Sequence, residues 1–457
     1  MAGKFVIVAA VAAALAGSAH AQDASLARLI EEAEAASPEI AQARAEVAAE
    51  RTRIPQAGAM PDPTLTLGIQ NDGFGGIEIG TMETSYLSVG LTQPFYWPGK
   101  RGLREQVATF EARRAEARLA RTRLDLEGRV RRAWLGLLLV RGQIDLLEEQ
   151  ERLWAKAEQA ARSRYESGQV PQSDLLRAQL ERSRLAQRKF ALAAESEVRT
   201  AELNRLRQHP LEESVPLTSR LPDLLDPELP AESEAQADAE ARSPELRAAS
   251  LGMEQAGRRA ELAQKERLPD FAVTAAVMPR GGLQPMWQLG VSVGLPIFSG
   301  QKQNRAVDEN DHRRMGEGQG AEAVKQIIRL RTRERQSALA ALNRTNQEYR
   351  TRILILSAAA ARSTLAQYEV GRVPFAAVLE ALSGYVSDRQ NHLASIADAH
   401  LVAIAQREVS LDAPASMAGG GATAMPGTGA GAPRAASIPN RTSSAAASSA
   451  PRGMNGM

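Results

Sequence analysis

The sequence predicts a mainly α-helical protein with a membrane β-barrel, built from two copies of one strand-strand-long helix-helix unit. Three observations predict it: an internal repeat offset by just over 200 residues, four segments of period-two alternation, and two long proline-free helical stretches. The repeat rests on four anchors in order. Ser37-Pro38-Glu39-Ile40 returns as Ser243-Pro244-Glu245-Leu246, and Pro61-Asp62 as Pro269-Asp270. Ser88-Val89-Gly90-Leu91 returns unchanged from Ser292, and Tyr165-Glu166-Ser167-Gly168-Gln169-Val170-Pro171 as Tyr368-Glu369-Val370-Gly371-Arg372-Val373-Pro374. The offsets are 206, 208, 204 and 203, so order and spacing are both kept.

In chain order, residues 1–21 come first: Lys4, an apolar run from Phe5 to Ala16, and Ala19-His20-Ala21 before Gln22. This is the charged, apolar and small-residue pattern of a secretory signal peptide. The run is too short to cross a hydrocarbon core about 30 Å thick. The first repeat follows over 22–209, with helix expected at 26–54, strands at about 63–72 and 84–93, a long helix at 102–166, a tip turn at 167–171 and a return helix to 207. Residues 210–231 form a proline-rich linker at mid-height. The second repeat spans 232–410, with helix at 232–266, strands at about 270–279 and 286–298, a long helix at 302–370, a tip turn at 371–374 and helix at 375–409. Residues 411–457 turn into Ala, Gly, Ser and Pro, which bury too little surface to offset ordering entropy, and are expected to be disordered.

Each strand has one apolar and one small polar face. Leu65, Leu67 and Ile69 alternate with Thr66 and Gly68, and Leu289, Val291 and Val293 with Gly290 and Ser292. Lys and Glu are missing from the polar faces, and aromatics gather at strand ends (Phe95, Tyr96, Trp97, Trp287), where a membrane interface favours them. A soluble sheet with one face on a core is the alternative. Past the leader no run of 18 apolar residues exists, so a membrane span must be made of strands. Four strands cannot close. Two copies give about eight strands and a filled bore, three about twelve and room for water, so a water-filled pore favours the homotrimer.

Between the strands and the tips, apolar residues return at helical spacing through Val130, Trp134, Leu137, Leu138, Ile144 and Leu147. Each long helix is about 100 Å at 1.5 Å per residue. The shorter helices add up in pairs to nearly that length, so two stacked end to end fit along one long helix. Gly168 and Gly371 suit a helix C-terminus, and Pro171 and Pro374 the start of the returning helix.

The ordered set of repeat anchors, with Pro94-Phe95-Tyr96-Trp97-Pro98-Gly99-Lys100, resembles the TolC-type outer membrane efflux proteins over about residues 25 to 410. The resemblance implies a trimeric 12-strand barrel in the outer membrane of a Gram-negative bacterium, standing on an α-helical periplasmic tunnel. It implies as partners a periplasmic adaptor and an inner membrane pump, here of the resistance-nodulation-division type, besides outer membrane lipid. Adaptor contacts then fall on the tips at Gly168, Val170, Ser173, Gly371 and Val373, and a periplasmic gate on Asp174 and Glu380. The matching positions Ala377 and Arg177 depart from an all-acidic gate and make a mixed ring. Pro-Gly-Lys, with no cysteine to carry a lipid, leans toward the heavy-metal resistance branch. Drug export and a type I secretion duct are alternatives within the class, and a soluble periplasmic coiled-coil scaffold or adaptor is the alternative outside it.

Composition narrows the field further. With no cysteine among 457 residues, disulfides, thiolate metal sites and cysteine nucleophiles are excluded. The near balance of 56 Lys+Arg against 54 Asp+Glu lacks the basic excess that nucleic acid demands. There is no phosphate loop, nucleophile elbow or His-Glu-x-x-His, so neither an enzyme nor a cofactor is implied. Asp308 with His312, and Asp388 with His392, share helix faces but offer too few ligands for a closed metal site and read as solvated charge.

Overall fold

The structure is a computed structural model that describes residues 26–412. The expected leader and the tail from 413 lie outside the described residues. The elements are α1 (26–36), α2 (Pro38–Ala57), β1 (Thr64–Gln70), β2 (Tyr86–Phe95), α3 (Lys100–Glu166) and α4 (Gln172–Arg207). A linker with a short 3-10 turn at Leu221–Asp223 leads to α5 (Glu232–Arg242), α6 (Pro244–Lys265), β3 (Phe271–Arg280) and β4 (Leu283–Val293). Then come α7 (Gln303–Glu348), a π-helical turn (Tyr349–Ile353), α8 (Leu354–Glu369) and α9 (Phe375–Arg407). Among the described residues no helix is long and apolar enough to cross a membrane.

The two Ser-Pro-Glu anchors break helices that the sequence reading ran through. Ser37 (φ −67°, ψ 119°) and Ser243 (φ −67°, ψ 115°) are extended, because a following proline excludes the helical region. Their hydroxyls accept the N–H of Ile40 at 3.3 Å and of Leu246 at 3.2 Å, capping α2 and α6. The 67-residue helix α3 is the spine. Its upper part carries α2 and α6, tied through Arg51–Glu116 and Arg114–Gln255. Its lower part carries α4 and α9, tied through Glu158–Arg182 and Glu149–Tyr385. Two apolar cores follow it. One, at Val130, Leu137 and Leu138, takes in Leu221 and Leu224 of the linker, so the linker is packed rather than bulging free. The other, at Trp154 and Ala157, takes in Leu185, Tyr368, Phe375 and Leu382. The arginines of α7 serve as interhelical ties: Arg329 to Glu240, Arg333 to Glu232, and Arg331 and Arg335 to the carbonyls of Leu411 and Ser410.

The four strands form one antiparallel sheet in the order β1-β2-β3-β4. Its limits differ from those read in the sequence. β1 is shorter than 63–72, since residues 71–85 fold into a loop around Asn71, whose amide bonds the carbonyls of Gly73 and Gly76. β2 starts at Tyr86 and runs on to Phe95 because β3 offers Phe271 opposite it. β4 covers 283–293 and not 286–298. It starts early by pairing Leu283 with Arg280, and stops at Val293 because β3 ends opposite at Phe271.

Candidate functional site

The register puts most of the large apolar strand residues on one face, with the paired Met278 and Met286 on the other. Leu65, Leu91, Ala275 and Leu289 form one row across all four strands, and Leu67, Val89, Val277 and Trp287 the next. The opposite face is otherwise small and polar, with the hydroxyls of Thr92 and Thr274 3.0 Å apart. The apolar face is uncovered, with Leu67 69% and Val291 68% exposed. In the single chain β1 pairs only with β2 and β4 only with β3, leaving both outer edges open.

The aromatics lie at two levels of this face, and Trp287, expected at a strand end, is the fifth of the eleven residues of β4 because that strand starts at Leu283. Phe95 stacks on Phe271 at 5.2 Å beside the helices. Trp287 lies six residues along β4 from Val293, which is opposite Phe271, so about 20 Å separate the two levels at 3.3 Å per residue. Tyr96 and Trp97 lie past the end of β2 and are half-buried in the strand-helix junction. The Arg104 guanidinium sits 4.1 Å over the Tyr96 ring, and the Trp97 backbone N–H donates to Asp270 Oδ1 at 2.7 Å.

The Pro-Gly-Lys motif belongs to this junction. Gly99 takes a left-handed φ of 93°, closed to most side chains, and starts α3 with the Lys100 side chain turned inward. Lys100 is buried. Its Nζ donates to Asp270 Oδ1 and to the Leu268 carbonyl, each at 2.8 Å. Burial works against the Asp270 carboxylate, yet the Lys100 ammonium and the Trp97 N–H hold it below its ordinary range. This pair fastens the end of the first repeat's strands to the start of the second repeat's.

At the far end of α3 the two tip turns share one geometry. Gly168 (φ 72°) and Gly371 (φ 77°) close α3 and α8, with Gln169 N–H on the Arg164 carbonyl and Arg372 N–H on the Gln367 carbonyl, each at 2.8 Å. Ser173 is exposed, Val170 half-buried, and Val373 packs on the lower core. The sequence reading missed what joins the tips: Arg164 donates to the Tyr368 carbonyl at 2.8 Å and lies 4.8 Å over its ring. Burial, with the nearby Asp174 charge, raises the Tyr368 phenol above its usual range. Asp174 is half-buried and Glu380 exposed, and no hydrogen bond or ion pair joins the two. Tyr368 was legible only as a repeat anchor and Phe375 only as the start of a helix, since a cross-repeat contact leaves no local spacing.

His392 is buried, not solvated, and its ring lies tilted against Tyr349 with centroids 5.4 Å apart. Its surroundings, apolar and flanked by Arg350 and Arg389, lower its pKa. Among the described residues no group of three His, Asp or Glu is placed to hold a metal. Gly128 was also missed. A Cβ there would lie 1.1 Å from Glu408 Oε1, because the buried Glu408 carboxylate fills the glycine notch while bonding Arg132 at 2.6 and 2.8 Å.

Comparison with known proteins finds this duplicated helical spine and strand ribbon in other chains. Residues 29–208 match the family described as outer membrane efflux protein. The fold is similar to the open state of the Neisseria gonorrhoeae MtrE outer membrane channel, with TM-score 0.68 and 19% identity over 84% of this chain and 88% of that one. It is similar to the outer membrane protein VceC of Vibrio cholerae, with TM-score 0.67 and 18% identity over 85% and 96%. It is also similar to CusC, a transmembrane channel protein, with TM-score 0.69 and 18% identity over 85% and 91%. No curated protein matches the chain. The first repeat thus matches the outer membrane efflux protein family by sequence, and the chain shares the fold of these channels across both repeats.

Proposed function

We propose that the protein is the outer membrane exit duct of a tripartite efflux system: a homotrimer whose three four-strand ribbons close a 12-strand barrel over a tunnel of long helices. The observation that carries this is the uncovered apolar face with two open edges. Burying one large apolar side chain is worth about 1.5–3 kcal/mol, and an unpaired strand edge in lipid costs several kcal/mol per group. Lipid satisfies the face and neighbouring copies the edges. A soluble coiled-coil scaffold would have no use for such a face.

In this reading Phe95 and Trp287 mark the two membrane interfaces, with Tyr96 and Trp97 at the rim of the lower one. Energy comes from an inner membrane pump of the resistance-nodulation-division type, reached through a periplasmic adaptor that docks at Gly168, Val170, Ser173, Gly371 and Val373. Asp174 and Glu380, tripled about the axis, line the gate, where a narrow bore focuses their field. The cargo is heavy-metal cations, with drugs second. The motif that suggested metals, Pro-Gly-Lys, also has a structural duty at Lys100, so cargo is best read from the partner pump.

The test is Val291→Arg. On the lipid face near mid-bilayer it should cost about 2–4 kcal/mol and reduce the amount recovered in the outer membrane. Undiminished outer membrane recovery and stability would contradict a lipid-facing sheet.

A further inference from the structure

We propose that Lys302 pairs with Asp62 of a neighbouring copy of this chain, repeating across the subunit boundary the Lys100–Asp270 lock that joins the two repeats. The proposal rests on the oligomeric reading above. Within the chain the boundary between repeats is made three times over: β2 pairs with β3, α3 packs on α6, and Lys100 bonds Asp270. Each partner has a counterpart one repeat away. β4 corresponds to β2 and α7 to α3, while β1 corresponds to β3 and α2 to α6. Asp62 follows Pro61 between α2 and β1, as Asp270 follows Pro269 between α6 and β3. Lys302 follows Gly300 and Gln301 at the start of α7, as Lys100 follows Gly99 at the start of α3.

These counterparts face no one in the single chain. The outer edges of β4 and β1 are open, and α2 packs on α3 while α7 packs on α5, α6 and α9. Asp62 and Lys302 are exposed, and among the described residues neither has an ion-pair partner. The second junction is also less set than the first. β2 runs on to Phe95, five residues before Lys100, whereas β4 stops at Val293, nine residues before Lys302. Phe95 is held by Phe271, the residue after Asp270. A neighbour's β1 would hold residues 294–298 in the same way and bring its Asp62 to the start of α7. Lys302 precedes the first residue of α7 where Lys100 is the first of α3, a one-residue offset that a flexible four-carbon side chain spans.

The chain's lack of cysteine makes the test direct. Full-length Asp62→Cys/Lys302→Cys is treated in its membrane with a short bis-maleimide, beside Lys100→Cys/Asp270→Cys as the intrachain reference. Covalent dimers and trimers from the first, absent in either single variant, and a monomer-sized product with blocked thiols from the second, are expected. In parallel, Lys302→Asp should lower the melting temperature of the trimer, and Asp62→Lys/Lys302→Asp should restore it. If wild type is trimeric and the reference reacts, yet residues 62 and 302 do not cross-link and the reversed pair restores nothing, the ion pair is wrong and the trimer stands. If wild-type chains are single in the membrane, the oligomeric reading falls first.

Discussion

At the scale of residues, the strongest effects come from charges placed where only one partner is buried. In the junction pair the Lys100 side chain is 3% exposed and Asp270 43%. Removing the carboxylate strands a buried ammonium, whereas removing the ammonium strands a carboxylate that water reaches. Asp270→Asn is therefore expected to cost about 2–3 kcal/mol, at the low end for breaking a buried pair, and Lys100→Met about 1 kcal/mol. Thermal or denaturant unfolding in detergent checks the order, and a larger loss for Lys100→Met would contradict this placement. Gly128 gives a second case. Gly128→Ala drives a methyl into the space of the Glu408 carboxylate and should cost about 1–3 kcal/mol. In the Gly128→Ala/Glu408→Ala double variant the clash is gone, so its cost should fall well short of the summed singles. Additive losses would show that the two groups do not compete for one space.

At the scale of elements, what was legible depended on whether the determining contact was local. The long helix of the first repeat could be drawn from proline spacing and apolar period to within two residues, because a helix keeps its own hydrogen bonds. The tip glycines were equally plain, since left-handed φ at a helix end is a local demand. The end of β4 was not, because a strand stops where its partner stops, and β3 ends opposite Val293. The π turn at Tyr349–Ile353 was illegible too: no proline or glycine marks it, and it lies where Tyr349 meets His392 between helices. Tips and gate candidates could be named, but the Arg164–Tyr368 tie between repeats could not. That tie sharpens one prediction. Gly371→Leu imposes a left-handed φ on a side chain, about 1–2 kcal/mol, and its Cβ would come within 3.1 Å of Arg164 Nη2. Gly168 has open space, so Gly168→Leu bears the backbone strain alone. Both should leave trimers intact and impair efflux, Gly371→Leu more. Full efflux in cells carrying either variant would count against docking at the tips.

At the scale of the whole molecule, two repeats give the chain one completed seam and one half-seam at each side. The small polar strand face carries Thr, Ser, Gly and Gln, chemistry that suits a water-filled bore, while the opposite face is apolar apart from Gln93 near the helices. On the function proposed above, a chain built this way is finished by copies of itself in lipid. The most direct measurement is the mass of the protein-detergent complex, by native mass spectrometry or light scattering, on protein extracted from outer membranes. The account predicts three chains per particle and loss of solubility when detergent is withdrawn. A single chain that stays soluble and folded in plain buffer would contradict it.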